Sequence, residues 1–413
     1  MIKREIPVYS PWISEEDVEE VRRATLSGWV SSSSPDVLSF EEEFAAAIGS
    51  GRGISCSSGT AALHLSLRAA GIGPGDEVIV PDLTFIAPAS MVVACGATPV
   101  FADVSAEDWN VTPESVSKCV TPRTRAVIAV HLYGNPADCE GLAEAAPGAM
   151  IIEDVAQSCG ATRDDVNAGT FGSLGCFSFF GNKVITTGEG GMVLTDDPDL
   201  ASRLHLFRGH AMSPDRRYFH PELGFNYRMT GMQAAMGRSQ LRRMDEILSR
   251  KRKIAKLYAN RLADLPELCL HPPGTASAPS IFWMYSILTP SQKVRDEMMR
   301  RLGMKGIDTR PFFYPMSSLP PFAGHPTHAP VSRDLSERGL NLPSGPLLTE
   351  SEIDFVTDTI REALGRSKRS KVTSITASVT ARARTLEAAA TGSKRARANL
   401  PTRKGKVELP FQI

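Results

Sequence analysis

The chain has 413 residues, of which 42% are hydrophobic and 22% are charged, and its formal net charge is zero. This composition is typical of a soluble globular protein, and the length exceeds what one compact core supports, so two domains are expected. From Arg366 onward twelve Lys or Arg stand against two Glu, which gives this tail +10 and the rest of the chain −10. The acidic body therefore gives no indication of a nucleic-acid-binding surface.

The seven cysteines are scattered, with no C-x-x-C pair and no histidine cluster at zinc spacing. No metal site is therefore expected, and an odd, scattered set of cysteines fits a reducing compartment. The N-terminus lacks the apolar core of a signal peptide, and no segment approaches the roughly 20 apolar residues of a membrane span. These features predict a cytoplasmic protein without a membrane or nucleic-acid partner.

Residues 1–35 predict an arm, a short acidic helix and a loop. Ser14 followed by three acidic residues is a typical helix start, because the hydroxyl caps free N–H groups and the acids face the positive end of the helix dipole. Pro35, after a run of serines, is expected to break regular structure. An i, i+4 phenylalanine pair then indicates a second helix over about 39–48.

Short apolar runs alternate with helical patterns between Gly53 and Thr195. The predicted strands are 77–80, 98–104, 126–131, 150–154, 174–180 and 192–195, and the predicted helices are 60–70, 88–95 and 137–146. Several of the apolar runs are continuous, as in strands buried on both faces. The alternation predicts an α/β fold with a mostly parallel sheet, in which ligands bind at the carboxyl ends of the strands.

The second half of the chain predicts a long helix over 230–265 that connects to a small α+β domain. Its predicted strands are 282–288 and 304–310, and its predicted helices are 292–302 and 350–364. The expected domains are therefore 1–240 and 241–365, followed by a basic tail over 366–413. The tail has too little apolar content to offset its ordering entropy and is expected to be disordered.

The segment Phe177–Gly191 places one lysine, Lys183, between an aromatic run and a glycine-rich turn. These surroundings predict a partly dry pocket, in which desolvation lowers the pKa of the lysine toward the range of a nucleophile or base. A Schiff-base lysine needs this property. The alternative interpretation is a surface lysine that extends from a strand end.

Two upstream motifs offer partners for such a lysine. A strand runs into Ser58, Gly59 and Thr60 at the start of an apolar helix, and these residues can bind a phosphate or serve as an ordinary cap. Asp154 ends an apolar strand, where a buried carboxylate needs a cation such as a protonated pyridine nitrogen, and Gln157 follows three residues later. The alternative role of Asp154 is a helix cap.

Two further positions complete the pattern. Asn226 and Arg228, just before the long helix, can bind a phosphate or cap local structure, and Phe85, after another strand, can stack on a ring or belong to the core. A phosphate cradle, an acid for a ring nitrogen and a lysine for an aldehyde are together what pyridoxal 5′-phosphate requires.

In the order and the residues of these motifs, the chain resembles the DegT/DnrJ/EryC1/StrS sugar aminotransferases, which belong to the fold-type I pyridoxal-phosphate enzymes. The resemblance covers about residues 5–365 and rests on the motifs SSGTAALHL, GDEVIVPDLTF, GATPVFADV, VHLYG, IIEDVAQS, FSFFGNKVITTGEGGM and NYRM. It implies a large domain with a mostly parallel seven-stranded sheet and a smaller C-terminal α+β domain.

The resemblance also implies roles for individual residues. Lys183 matches the Schiff-base lysine, Asp154 the partner of the pyridine nitrogen and Gln157 the contact to the ring hydroxyl. The matches to the phosphate shell and the stacking position are Ser58, Gly59, Thr60, Ser178 and Phe85. Asn226 matches a residue that reaches the phosphate of the neighbouring subunit, which implies a homodimer.

Within the family, the chain most resembles enzymes that use L-glutamate to convert GDP-4-keto-6-deoxymannose to GDP-perosamine. The resemblance rests on four stretches: FFGNKVITTGEGGM, FWMYSI, TRPFFYPMSSLPPF and GLNLPSGP. This implies a part in lipopolysaccharide O-antigen biosynthesis. The alternatives are a dTDP- or UDP-linked keto sugar, a sugar 3-dehydratase, or a catalytically silent protein on the same fold. The dehydratases replace the lysine by histidine, so Lys183 favours transamination.

The substrate residues are predicted from loop positions alone. The candidates are Arg228, His210 and Tyr314, whereas His325 and His328 in a proline-rich loop are expected to face solvent. The stretch 163–175 departs from the family pattern, because it has Asp-Asp-Val-Asn where relatives commonly have a lysine-glycine turn.

Overall fold

The computed structural model describes residues 5–325 and 327–367. The helices are α1 (Glu15–Leu26), α2 (Pro35–Ile48), α3 (Gly59–Ala69), α4 (Ala87–Ala94), α5 (Pro113–Ser117), α6 (Cys139–Ala145), α7 (Pro198–Arg208), α8 (Gly231–Arg242), α9 (Met244–Leu262), α10 (Gln292–Met304), α11 (Pro330–Arg338) and α12 (Glu350–Ala363). The strands are β1 (Arg52–Cys56), β2 (Glu77–Pro81), β3 (Thr98–Ala102), β4 (Thr124–Val130), β5 (Met150–Asp154), β6 (Thr162–Arg163), β7 (Val166–Asn167), β8 (Leu174–Ser178), β9 (Gly191–Thr195), β10 (Cys269–Leu270), β11 (Tyr285–Leu288), β12 (Arg310–Pro311) and β13 (Gly339–Leu342).

The large sheet has seven strands in the order β1-β9-β8-β5-β4-β2-β3. Strand β9 runs antiparallel to both of its neighbours, and the other pairings are parallel. Every residue of β2, β8 and β9 is buried, as expected for a sheet with helices on both faces. The predicted α/β class and mostly parallel seven-stranded sheet are confirmed.

The register of this sheet determines where polar side chains emerge. In the central strands Asp154 is paired with Val130 of β4 and with Cys176 of β8. Ser178, at the end of β8, is paired with Gly191 at the start of β9. Because β4, β5 and β8 are parallel, their carboxyl ends share one edge of the sheet, and Asp154 and Ser178 lie along that edge.

A second, antiparallel sheet has four strands in the order β10-β11-β13-β12 and packs with α9, α10 and α12 around its own apolar core. The predicted strand over 304–310 is wrong, because α10 continues to Met304 and only Arg310–Pro311 is extended in the sheet. Ile307, within the predicted strand, instead forms an isolated bridge with Ile6 of the N-terminal arm.

Both sheets belong to one compact unit that ends at Leu364. A domain boundary at residue 240 therefore stays a prediction. The basic tail predicted over 366–413 lies outside the described residues from position 368 onward.

The break predicted before the second helix is present between α1 and α2, but Pro35 itself begins α2 and so lies inside regular structure. The Ser34 side chain caps the helix by accepting a hydrogen bond from the Asp36 N–H, with Pro35 at the first helical position. Proline suits this position because its missing N–H has no partner in a helix in any case and its φ is already helical.

The long helix predicted over 230–265 is two helices, α8 and α9, that meet at Arg243. Arg243 has φ −110°, outside the helical range. Its guanidinium donates to Asp17 of α1 and lies 4.7 Å from the ring centroid of Trp12. These tertiary contacts stabilise a break that the local sequence does not signal.

The stretch that departs from the family pattern forms a tight hairpin between β6 and β7. Asp164 and Asp165 occupy its two turn positions with φ of 49° and 64°. Two-residue hairpins favour positive φ, which aspartate tolerates better than most residues. The unusual sequence therefore changes this loop and leaves the central strands in place.

None of the helices in the described part of the chain is long and apolar enough to cross a lipid bilayer.

An aromatic cluster fixes α2 on the face of the large sheet behind the β8–β9 connection. Phe44 is fully buried, and its ring centroid lies 5.0 Å from Phe177 and 5.2 Å from Phe179. Phe40, one turn earlier, lies 5.3 Å from Phe179. Edge-to-face contacts of this kind add to the hydrophobic gain from burying the rings.

We expect Phe44→Ala to lower the free energy of unfolding by about 3–5 kcal/mol, because it removes a buried ring and leaves a cavity. The matched control is Leu38→Ala on the same helix, since the Leu38 side chain is 60% exposed. Urea unfolding followed by tryptophan fluorescence measures both. Equal effects of the two substitutions would contradict this account of the core.

Candidate active site

A cavity of about 660 Å³ opens at the carboxyl ends of the parallel strands, within the size range of small-molecule sites. Eight of the nine predicted cofactor residues line it: Ser58, Gly59, Thr60, Phe85, Asp154, Gln157, Ser178 and Lys183. These residues come from four separate segments, at or just after the carboxyl ends of β1, β2, β5 and β8. The sheet therefore brings together residues that lie up to 125 positions apart in the chain.

Lys183 lies in the β8–β9 connection and is held by its backbone. Its N–H donates to the Phe180 carbonyl at 2.9 Å, and its own carbonyl accepts from the Tyr9 hydroxyl at 2.8 Å. The Lys183 Nζ lies 4.0 Å from the centroid of the Trp283 ring. Burial lowers the pKa of Lys183 from 10.5 to about 8, and the Asp154 carboxylate partly opposes this shift.

Asp154 is the last residue of β5 and is 5% exposed. Burial raises its pKa, while the Ala156 N–H bond and the charge of Lys183 act in the opposite direction. The Ala156 N–H donates to Oδ1 at 3.0 Å, and no described residue donates to Oδ2. A buried carboxylate with one uncommitted oxygen can accept a charged N–H from a ligand.

Gln157 lies in the turn after β5, and its orientation is fixed by Tyr133. The Tyr133 N–H donates to the Gln157 Oε1 at 3.1 Å. Tyr133 has φ 51°, a conformation that is costly for a bulky residue and is common near functional sites.

The start of α3 lines one part of the cavity. Ser58 caps this helix by accepting a hydrogen bond from the Ala61 N–H at 3.1 Å. A Cβ at Gly59 would lie 2.7 Å from the Cβ of Ser178, and one at Gly191 would lie 2.5 Å from the Ser58 carbonyl oxygen. The helix N-terminus can therefore approach the ends of β8 and β9 only because these positions lack side chains.

Two predicted aromatic residues lie at the edge of the cavity. Phe85 is 53% exposed, and its ring centroid is 5.9 Å from that of Phe313. Tyr314 is 64% exposed and also lines the cavity.

Three predicted residues do not reach the cavity of their own chain. His210, Asn226 and Arg228 are exposed and do not line it. Asn226 pairs with Gly209, next to His210, and its side-chain oxygen accepts from the Arg228 Nε at 3.0 Å. These three residues form a separate surface cluster.

The two histidines of the proline-rich loop also lie away from this cavity. His328 is exposed, as expected, and lines a separate cavity of about 250 Å³ together with Asp82. His325 is partly buried, with its ring edge against Phe101 at 6.3 Å, so the expectation that it faces solvent was wrong in part.

Sequence reasoning missed several cavity residues from the smaller sheet and the loops. Trp283, Arg310, Phe313 and Asn341 all line the cavity. Trp283 lies in the FWMYSI phrase that served as a marker of resemblance, and its side chain could have been considered as a site residue. The Oδ1 atom of Asn182, which precedes Lys183, is buried without a hydrogen-bond partner among the described residues, and Asn182 lines the same cavity.

A buried polar cluster supports the site from behind. Glu153 accepts hydrogen bonds from the N–H groups of Gly169, Phe171 and Gly172 at 2.7–2.8 Å and contacts His131 Nε2 at 2.9 Å. His131 Nδ1 accepts from the Ala137 N–H, so Nε2 carries the proton that it donates to Glu153. Cys139 lies beside this pair, but the carboxylate and imidazole atoms are engaged in the protein's own hydrogen bonds.

The fold is similar to that of solved aminotransferases. The crystal structure of the aminotransferase TlmJ from Streptoalloteichus hindustanus matches with a TM-score of 0.84 and 33% identity. The match covers 87% of this chain and 99% of TlmJ.

Curated relatives match over nearly their whole length. The GDP-perosamine synthase of Caulobacter vibrioides is 41% identical over 364 residues, which cover 87% of this chain and 98% of the relative. The GDP-perosamine synthase of Escherichia coli O157:H7 is 40% identical over 359 residues, with 86% and 98% covered. The profile of the DegT/DnrJ/EryC1/StrS aminotransferase family matches residues 11–361. The chain belongs to this family of pyridoxal-phosphate-dependent aminotransferases, as its sequence motifs predicted.

Proposed function

We propose that this aminotransferase moves an amino group from L-glutamate to C4 of GDP-4-keto-6-deoxymannose and so forms GDP-perosamine. The observation that carries the transfer chemistry is the partly desolvated Lys183 amine, with its lowered pKa, close to Asp154 in a cavity of about 660 Å³. The substrate assignment is supported by the GDP-perosamine synthases, which are 40–41% identical and match over 98% of their own length.

The donor set of the cavity fits pyridoxal 5′-phosphate. The start of α3, with Ser58 and Gly59, offers N–H groups and a hydroxyl to the phosphate, and Ser178 lies against Gly59. At the other end, the uncommitted oxygen of Asp154 suits a protonated ring nitrogen. When bound, the cofactor supplies an aldehyde that reacts with amines and a ring that accepts electrons.

Lys183 is suited to hold the cofactor and to move a proton. With its pKa lowered to about 8, roughly one amine in ten is neutral at pH 7 and half are neutral at pH 8, whereas an ordinary lysine is almost fully charged. A neutral amine can attack a carbonyl or accept a proton, and the resulting ammonium can return that proton. The Trp283 ring, 4.0 Å from Nζ, excludes water from one side of the amine.

The active form is proposed to be a homodimer with a site shared between two subunits. His210, Asn226 and Arg228 are exposed outside the cavity of their own chain, so they are available to the cavity of a second copy. Exposed apolar side chains also support an interface, including Leu26 at 72%, Tyr218 at 76% and Leu223 at 87% exposure. We also propose a reducing compartment such as the cytoplasm, since all seven cysteines are free thiols.

The substrate proposal is tested by assaying the purified protein with glutamate and GDP-, dTDP- or UDP-linked 4-keto-6-deoxy sugars. We expect the GDP sugar to give the highest kcat/KM and a product with nitrogen at C4. Lys183→Ala should abolish turnover while the far-UV circular dichroism spectrum stays unchanged. Preference for a dTDP or UDP sugar would overturn the substrate assignment, and full activity of Lys183→Ala would overturn the mechanism.

Gly59→Ala tests the phosphate end of the cavity. The new Cβ would lie 2.7 Å from the Ser178 Cβ, so the first turn of α3 must shift. Overpacking costs about 1–3 kcal/mol, and we expect cofactor affinity to fall by roughly tenfold or more. Gly303→Ala is the control, because no atom lies within 4 Å of its added Cβ. Equal cofactor affinity in both variants, measured by titration of absorbance, would contradict the assignment.

Mixed dimers test the shared site. Lys183→Ala and Asn226→Asp should each be nearly inactive, the second because a carboxylate repels the phosphate. If each cavity combines Lys183 of one subunit with Asn226 of the other, a mixed dimer carries both substitutions in one cavity and neither in the other. Co-refolding equal amounts should therefore restore about a quarter of wild-type activity. No recovery, with mixed dimers detected by native mass spectrometry, would contradict the shared site.

A further inference from the structure

A second buried lysine lies behind the cavity, on α9. Lys251 is 1% exposed, and no described carboxylate lies within ion-pair distance of it. Its Nζ donates to the carbonyls of Trp283 at 2.9 Å and Ser344 at 3.0 Å and lies 4.9 Å from the ring centroid of Tyr9. Burial lowers the pKa of Lys251 to about 7, which reflects the cost of keeping a charge at this position.

Two contacts of Lys251 lead directly to Lys183. Trp283, whose carbonyl accepts from Lys251, donates its indole N–H to the Asn182 carbonyl at 2.8 Å and covers the Lys183 amine at 4.0 Å. Tyr9, whose ring faces the Lys251 ammonium, donates its hydroxyl to the Lys183 carbonyl at 2.8 Å. Lys251 therefore contacts both Trp283 and Tyr9. These two residues hold the backbone of residues 182–183, Trp283 from the side of the smaller sheet and Tyr9 from the N-terminal arm.

The indole has little freedom to move between these contacts. Its ring is stacked on Tyr133 with centroids 6.2 Å apart and planes 12° apart. Tyr133 in turn orients Gln157 through its backbone N–H. If the Trp283 carbonyl moved, the contact between the indole ring and the Lys183 amine would change. Tyr133 and Gln157, in the neighbouring wall of the cavity, would also be disturbed.

The geometry points to Lys251 as a positioning residue: by binding the Trp283 carbonyl and the Tyr9 ring, it holds the indole against the Lys183 amine. This inference rests on the proposed role of Lys183. A lysine suits the position because its amine has two N–H donors for the two carbonyls even when neutral, and its charged form is also attracted to an aromatic face. Methionine fills a similar volume without donors, whereas glutamine retains two donors without the charge.

Lys251 can influence Lys183 by its charge as well as by positioning Trp283, and the two effects must be told apart. His271 is the titratable group that senses Lys251, and burial together with the Lys251 charge lowers its pKa to about 3. His271 is therefore neutral near pH 7 and does not pair with the ammonium. Below about pH 7, where Lys251 is charged, that charge can also act on Lys183 through space, and its removal affects Lys251→Met and Lys251→Gln equally.

The test measures the Lys183 amine in the protein without cofactor. The wild type, Lys251→Met and Lys251→Gln are labelled with trace acetic anhydride across pH 6–11, and the labelling of Lys183 is quantified by peptide mass spectrometry. The wild-type inflection is expected near the Lys183 pKa of about 8. In Lys251→Met the loosened indole admits water, so the inflection should rise by about one pH unit or more. Lys251→Gln should lie clearly closer to the wild type.

Lys253, which is 70% exposed on the same helix, is the internal labelling control and should not change between variants. If the Lys183 inflection shifted equally in Lys251→Met and Lys251→Gln, Lys251 would act through its charge and the positioning role would be wrong. A lowered melting temperature with no shift of the Lys183 inflection would overturn it in favour of a purely structural role.

If Lys251→Met does not fold, Trp283→Phe tests the same link, because it removes the indole N–H and part of the cover while Lys251 stays in place. The proposal requires a raised Lys183 inflection in that variant, and an unchanged inflection overturns it. The readout uses no substrate, so a different substrate preference leaves this inference intact. Full activity of Lys183→Ala would contradict the proposed function, whereas the labelling result tests only whether Lys251 positions Trp283.

Discussion

The structure depends on one electrostatic arrangement, an amine and a carboxylate held together in a partly dry cavity. Burial lowers the pKa of Lys183 and raises that of Asp154, and each charge partly offsets the shift of the other. In water the same two groups would have ordinary pKa values and little mutual attraction. The α/β sheet supplies the low-polarity surroundings by placing the carboxyl ends of β5 and β8 side by side.

Backbone contacts in the surrounding layers maintain this arrangement. Behind Asp154, the carboxylate of Glu153 binds three backbone N–H groups of the following loop, which keeps the end of β5 in place. At the other end, Gly59 and Gly191 allow a helix N-terminus to approach the strand ends closely enough to bind an anion. Both devices order backbone, so the reacting side chains are positioned by rigid elements.

The smaller sheet contributes more to the site than its distance along the chain suggests. Trp283 covers the Lys183 amine, and Lys251 and Tyr9 secure that contact from behind. The part of the cavity built from these residues comes from other elements than the strand ends proposed to hold the cofactor. This division fits an enzyme family in which one cofactor chemistry serves different substrates.

The sequence by itself predicted the fold class, the family and most of the proposed cofactor residues that line the cavity, because these depend on local patterns. A continuous apolar strand that ends in Asp154, or a strand followed by Ser58 and Gly59 at a helix start, is visible in a few neighbouring residues. The same holds for Lys183, whose lowered pKa was expected from the aromatic and glycine-rich residues beside it.

The tertiary structure alone decided which distant residues meet. The break at Arg243 depends on Asp17 and Trp12, more than two hundred residues away, and no local signal precedes it. The contact between the Lys183 amine and the Trp283 ring likewise joins the β8–β9 connection to the segment before β11, one hundred residues later. Local sequence sets the propensities of a segment, whereas long-range contacts form only when whole elements pack, and those contacts complete this site.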